Sequence, residues 1–274
     1  MIKIRNIFGG LGVLLLIIVS FNVNRIKFIL KVDDLLESIN LIEAEVEFIT
    51  LVNIGDGDRE YLASVINSIS ECNPKVLAID AFFLVPKEPQ KDMLLSKSIA
   101  KSPTVLAIKG HGDGYYTESL PIFKNNSIGS GIAQSFHHYG LNLTFKPIRI
   151  MNDVNRTHLQ HFSLVVAHHF DSVKTNKFRK KVKLDQEYLI DYKATINNFK
   201  MYDYGETTFN CDDIQGKIVL MGYLGPTNED KFKTPLGLIG SKGDYNPELG
   251  DMYGPVIIAN QILSVLDNVK LKEY

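Results

Sequence analysis

The sequence predicts an α/β fold: a mainly parallel sheet with helices on both faces, in three Rossmann-like layers, preceded by an N-terminal membrane helix. Three observations predict it. Strand-like and helix-like segments alternate from Phe48 to Ile108, the rhythm of a parallel sheet joined by crossover helices. The run Ile218 to Gly222 is apolar and bounded by glycine, as expected of a strand covered on both faces. No charged residue occurs from Asn6 to Asn24, and Ile7 to Val19 is almost wholly apolar or glycine.

A membrane span needs about 20 apolar residues, with roughly 17 as the lower limit, and this run sits near that limit. Lys3 and Arg5 also suit the start of a signal peptide, but Ile18 to Asn24 offers no good pair of small residues for cleavage. The expectation is an uncleaved anchor over residues 1–25. Lys3 and Arg5 on one side face Arg25, Lys27 and Lys31 on the other, so the positive-inside count leaves its orientation open. Ile29, Leu30, Val32, Leu35, Leu36 and Ile39 have helical spacing and predict a helical stalk over 26–45.

The remaining residues, 46–274, read as one domain. Phe48 to Ile54 is strand-like, and Arg59 to Cys72 is helical through Leu62, Val65, Ile66 and Ile69. Pro74 stops that helix, and Val76 to Phe83 is the next strand. Asp92 to Lys101 suits a helix and Thr104 to Ile108 a strand. Further strands are expected at Ser127 to Gln134, Thr144 to Met151 (an edge, given Pro147), Tyr188 to Tyr192 and Ile218 to Gly222. Helices are expected at Leu159 to Phe170 and Val256 to Leu266.

The bulk properties are those of an ordinary globular chain: 274 residues, 45% hydrophobic, net charge −1. Nothing in that balance attracts nucleic acid. The basic run Lys174 to Lys183 reads as a solvated loop or helix end, with a patch for an anionic partner as the lesser alternative. The only cysteines, Cys72 and Cys211, both precede predicted strands and so share the amino-terminal edge of the sheet. A disulfide and two unpaired thiols both remain open.

Beyond the carboxyl end of Ile218 to Gly222 lies a turn with Gly222, Gly225, Pro226, Thr227, Asn228 and Asp230. Open α/β sheets bind ligands at such strand ends. Gly55-Asp56-Gly57-Asp58 follows the first strand, and Asp80 belongs to the second. Two aspartates one residue apart invite comparison with haloacid dehalogenase phosphatases, which also need a downstream acidic pair holding magnesium. Here Asp212 and Asp213 precede their strand, at the wrong end of the sheet, so helix capping by the Asp-Gly turn is the better account. His158 and His161 fall one turn apart on the predicted helix, a zinc-compatible spacing, but no third ligand accompanies them. No cofactor or metal set is read, and no Gly-x-Ser-x-Gly elbow or cysteine–histidine pair marks an enzyme.

Three blocks together resemble the second class of CHASE domains, the cyclase- and histidine-kinase-associated sensory extracellular modules. They are ITLVNIGDGD, NPKVLAIDAFF, and the stretch from GKIVLMG through Asp230 and Thr234-Pro235-Leu236 to GPVIIANQIL. The resemblance covers roughly Asp33 to Leu266. It implies an extracytoplasmic input domain, in the periplasm or outside the cell, which the charge-free run from Asn6 to Asn24 is expected to hold as a single-pass anchor. Such domains are usually followed by membrane helices and a cyclase or kinase; no such region lies in these 274 residues, so signalling is expected to need a membrane-protein partner or a second copy. The expected ligand site comprises Asp56, Asp80, Gly222, Gly225, Thr227, Asp230 and Thr234, where the carboxylates meet a polar ligand or cation, the glycines admit backbone and the threonines supply hydroxyls. The competing expectation is a structural or interaction module at the cell envelope with no small-molecule ligand.

Overall fold

The computed structural model describes residues 39, 41–112, 114–138, 140–240, 250–267 and 273–274. The expected membrane helix and most of the expected stalk fall outside them. No helix among the described residues is long and apolar enough to cross a membrane.

In chain order the elements begin with β1 (Ile49–Asn53), α1 (Arg59–Glu71), β2 (Val76–Ile79), α2 (Pro89–Ile99), β3 (Thr104–Gly110), β4 (Tyr116–Thr117), α3 (Pro121–Lys124) and β5 (Gly129–Ile132). The middle holds β6 (Ser135–His138), β7 (Leu141–Phe145), β8 (Ile148–Ile150), β9 (His158–Gln160), α4 (Phe162–Phe170), α5 (Ser172–Arg179) and β10 (Tyr188–Leu189). The chain closes through β11 (Lys200–Tyr202), β12 (Ile218–Gly222), β13 (Lys231–Phe232), α6 (Pro235–Gly240), β14 (Met252–Tyr253) and α7 (Gly254–Leu266).

The central sheet runs β11-β1-β12-β2-β3-β5, every neighbouring pair parallel. β4 adds an antiparallel pair at the end of β3. Strand β12 lies between β1 and β2, with Leu220 opposite Leu51 on one side and Ala78 on the other. Alternation along the strands divides the core into two clusters, because successive side chains leave a strand on opposite faces. Ile49, Leu51, Val76, Ala78, Ile218 and Leu220 pack under α4 and α7. Val52, Leu77, Ile79, Val219 and Met221 pack under α1 and α2. Helices cover both faces, in three layers.

Local chemistry explains the element ends near the site. Asp58 caps α1 by accepting from the Tyr61 amide at 2.9 Å, leaving Leu62, Val65, Ile66 and Ile69 on one buried stripe. Asn73 closes that helix in the left-handed region, φ 54°, just before Pro74. The Arg59 guanidinium forms an ion pair with Asp92 of α2. Asp92 also accepts from the Lys87 amide at 3.0 Å, so this buried pair is hydrogen-bonded on both sides, as burial requires.

Several expectations are corrected. The second strand ends at Ile79, so Asp80 stands just past its carboxyl end rather than within it. Thr144 to Met151 breaks at Pro147 into β7 and β8, because proline cannot donate to a ladder. The helix expected from Leu159 starts at Phe162; residues 158–160 are strand β9, and His161 is the helix cap. Tyr188 and Leu189 join the antiparallel sheet β10-β7-β6 instead of the central one, whose edge is the unforeseen β11. The helical spacing of 26–42 does not hold at its described end: Ile39 bridges to Tyr192, and the Ile42 amide donates to Lys193 O at 2.8 Å.

Because β2 and β12 are neighbours, the residues before them meet. Cys72 and Cys211 form a disulfide with a Cα–Cα distance of 4.9 Å across a sequence separation of 139. The alternative of two unpaired thiols is thereby closed. The chain-entropy account assigns a loop of that length about 5 kcal/mol, with measured values of roughly 2–5 kcal/mol. Replacing both cysteines with serine should lower the urea unfolding free energy by about 2–5 kcal/mol, and reductant should shift the wild-type midpoint while leaving that of the double variant unmoved.

Candidate functional site

At the carboxyl edge of the sheet, β1 and β2 lead into α1 and α2 on one face, while β12, threaded between them, leads into α7 on the other. Adjacent strands whose connections leave to opposite faces open a crevice at their ends. Here it is a cavity of about 570 Å³, within the usual range for small-molecule pockets. Its wall takes Ile54 and Gly55 from the turn after β1, Asp80 and Phe82 from the loop after β2, and Tyr223 and Asp230 from the turn after β12. Ile257, Ile258 and Gln261 of α7 and Ser135, His137 and Asn142 of the antiparallel sheet also contribute.

Asn53, the last residue of β1, holds this edge together. Its Oδ1 accepts from the Gly55 and Leu224 amides, both at 3.0 Å. Its Nδ2 donates to Asp203 Oδ1 at 2.8 Å and Gly225 O at 3.2 Å. One buried amide thus ties the turns after β1, β11 and β12. Gly225 makes this possible with φ 115°, and a Cβ there would stand 2.8 Å from the Tyr253 hydroxyl.

Asp80 and Asp230 both line the cavity. Burial, and secondarily the nearby Asp230 carboxylate, push the Asp80 carboxyl up to about 7. Gly254, the first residue of α7, lies against it: a Cβ there would be 3.7 Å from Asp80 Oδ2. The helix amino end favours the anion by typically 0.3–1 kcal/mol, too little to offset the loss of water. Gly222 is a packing requirement of the same spot, since its Cβ would meet Pro255 Cγ at 2.5 Å and Asp80 Cβ at 3.4 Å. Asp230 itself adopts φ 57°, and its carbonyl accepts from the Gly254 amide at 2.9 Å. The Asp80 carboxyl makes no hydrogen bond to the turn after β12 among the described residues, and its amide donates to Met221 O, within β12, at 2.8 Å.

The other expected site residues lie outside the lining. Asp56 is exposed on its turn. Thr227 braces the loop through its carbonyl, which accepts from Tyr253 OH at 3.1 Å, and through the hydroxyl it shares with Tyr223. Thr234 is buried, and its amide donates to Asp251 Oδ1 at 2.6 Å. Asp213, of the downstream acidic pair, accepts from Tyr202 OH at 2.7 Å on the amino-terminal edge, beside the disulfide. His158 is exposed on β9 and His161 is buried, so the helical spacing that suggested zinc does not exist. Lys174, Lys177 and Arg179 lie on α5, where Lys177 and Arg179 complement its carboxyl end.

Sequence reasoning missed four residues here. Asn53 ends an apolar strand, where a single amide carries no motif signal. Asn142 sits in a buried strand of the motif-poor middle. Gln261 is fully buried in α7, and its position in the apolar run Val256 to Leu266 was a usable signal. The fourth, His161, was weighed as a ligand and is a cap: Nδ1 accepts from the Ser163 amide at 3.3 Å, and Nε2 is 3.2 Å from Gln134 O. That pairing places the proton on Nε2. Burial, with a smaller contribution from the Arg149 charge, pushes the His161 imidazole down to about 4.

Among known proteins, the model of one family, the CHASE2 domain, matches residues 51–273. No curated protein and no solved structure matches the chain.

Two predictions follow from the strand ends. Asn53→Ala should cost about 2–4 kcal/mol in urea unfolding, because it strands buried donors and acceptors that each cost about 1–3 kcal/mol; Asn53→Asp, which keeps the two accepted bonds but sets a carboxylate oxygen against Asp203 Oδ1 and Gly225 O, should recover none of the loss at neutral pH. For Asp80, the raised folded value means that the proton is bound more tightly in the native state. Its stabilising contribution is complete below about pH 4 and is lost as pH rises through about 7. Asp80→Asn should therefore be more stable than wild type at pH 8, by on the order of 2–4 kcal/mol, with the gap closing toward pH 4. Urea midpoints for both proteins at pH 4.5, 6 and 8 check the sign and the window.

Proposed function

Because the chain belongs to the CHASE2 domain family, whose members are extracellular sensory domains, we propose that it is a membrane-anchored extracytoplasmic module that binds a small polar ligand and signals through a partner. In this reading residues 1–25 form the anchor, 26–45 the connection to the membrane, and 46–274 the sensory domain. The observation that carries it is the cavity at the ends of β1, β12 and β2, where Asp80 and Asp230 share one wall. A sheet edge that holds a carboxyl at a cost in stability is the kind of place where binding supplies the compensation.

Two further observations support the location. The Cys72–Cys211 disulfide suits an oxidising compartment, and the charge-free run from Asn6 to Asn24 suits an anchor. Asp56, Thr227 and Thr234 take supporting places in this proposal, with Asp80 and Asp230 as the groups that meet the ligand. Gly222 and Gly225 act through packing and turn shape.

Comparison of native with denaturing mass spectra of the purified chain tests the reading. A discrete small-molecule adduct on the wild type, lost from a folded Asp230→Ala variant, is the expected result. A stable oligomer with no adduct would instead favour an interaction module at the cell envelope.

A further inference from the structure

The lining of the cavity has a one-sided chemistry. It contains the carboxyls of Asp80, Glu229 and Asp230, and among the described lining residues there is no lysine or arginine. Its two histidines offset none of that charge at neutral pH. Burial, reinforced by His138, lowers His137, and burial holds His161 neutral.

A second, independent observation concerns hydrogen bonding. Asn142 and Gln261 line the cavity and are 3% and 0% exposed. Each leaves a side-chain oxygen, Asn142 Oδ1 and Gln261 Oε1, buried with no hydrogen-bond partner. Gln261 is otherwise held, its Nε2 donating to Ser135 Oγ at 2.8 Å. Unpaired buried acceptors are costly and uncommon enough to need an explanation. Two on one cavity, beside three carboxyls, leave acceptors in excess along this wall.

Apolar and aromatic groups make up much of the remaining lining: Ile257 and Ile258 from α7, with Phe82, Tyr223 and Phe232 around them. Such surfaces accept an alkyl chain and the flank of an organic cation. A lone metal ion fits less well. No three His, Cys, Asp or Glu side chains among the described residues are grouped to hold one.

We propose that the cavity takes a small organic cation, a primary amine on a short apolar frame, with its ammonium donors directed to Asp80, Asp230 and the free amide oxygens of Asn142 and Gln261. This rests on the ligand-binding reading of the same site and names the ligand's class. The carboxyls confer selectivity for charge, and the amide oxygens confer selectivity for a donor-bearing head over a quaternary one.

The test uses the full-length chain in mild detergent at pH 8, titrated calorimetrically with a panel of primary mono- and diamines of three to six carbons. 1,4-Butanediol, tetramethylammonium and magnesium chloride are the comparison probes. At least one amine should bind, about thirtyfold or more tighter than the diol. Asp80→Asn and Asp230→Asn should each weaken it by about thirtyfold, and Gln261→Leu should weaken the primary amine while leaving tetramethylammonium unchanged. Circular dichroism melting confirms that each variant is folded. Equal binding of diol and amine, amine binding indifferent to both carboxylate variants, or no amine binding at millimolar concentration would each overturn the proposal. A neutral or anionic adduct in the native mass spectrum would overturn it while leaving the ligand-binding reading intact. The absence of any adduct would remove both.

Discussion

The placement of β12 between β1 and β2 is the constraint on which the rest of the molecule depends. A strand that begins at Ile218 occupies the middle of a sheet whose other central strands are complete by Gly110. All five of its residues are buried, and burying each large apolar side chain contributes roughly 1.5–3 kcal/mol. Neither helical layer can close over the sheet until it arrives. Such non-local parallel pairing is slow to form, because loop closure precedes its reward. The Cys72–Cys211 disulfide fastens the segments that lead into β2 and β12, the point where that closure is made.

The same insertion determines what stands at the carboxyl edge. Three turns converge there, and their backbone groups need partners away from water. Asn53 supplies three of those bonds from one side chain and adds a fourth to Asp203 Oδ1, and Gly222 lets Pro255 of α7 come down against Asp80. Polar satisfaction is thorough at the rim and incomplete in the cavity wall. A carboxyl pushed up to about 7 by burial and two amide oxygens without partners share one space. Local departures of this kind are what separates a binding surface from a folding surface.

Helix α7 connects this cavity to the segment by which the chain enters the domain. Gln261 lines the cavity, and its neighbour Asn260 holds residues 193–194 through bonds of 2.8 Å and 2.9 Å to their amides. That segment in turn receives Ile39 and Ile42 from the N-terminal side. Cavity, helix and entry segment are therefore in continuous contact. A ligand can bias such an assembly only by its differential affinity for two arrangements of it, and contact supplies the route rather than the coupling.

Much of the architecture was legible without coordinates. Buried parallel strands declare themselves as short apolar runs, and Asp58, Pro74 and the glycines after β1 and β12 act through local backbone chemistry that the sequence states directly. The elements from Ile49 to Ile108, the closing helix, the two helical faces and the nearness of Asp80 to Asp230 followed from that. The middle of the chain did not, because β6, β7 and β10 form a small antiparallel sheet whose pattern is set by its packing neighbours rather than by periodicity. By itself the sequence determined the layers, the apolar cores of the central strands and the family signature, all carried by local patterns along the chain. Only the tertiary structure decided that β12 inserts between β1 and β2, that Cys72 meets Cys211, that Asp56 and Thr234 stay out of the cavity while Asn142 and Gln261 enter it, and that Asp80 stands half-buried against the start of α7. Each of these depends on which distant segments come into contact, and strand order is chosen by the packing of the whole core.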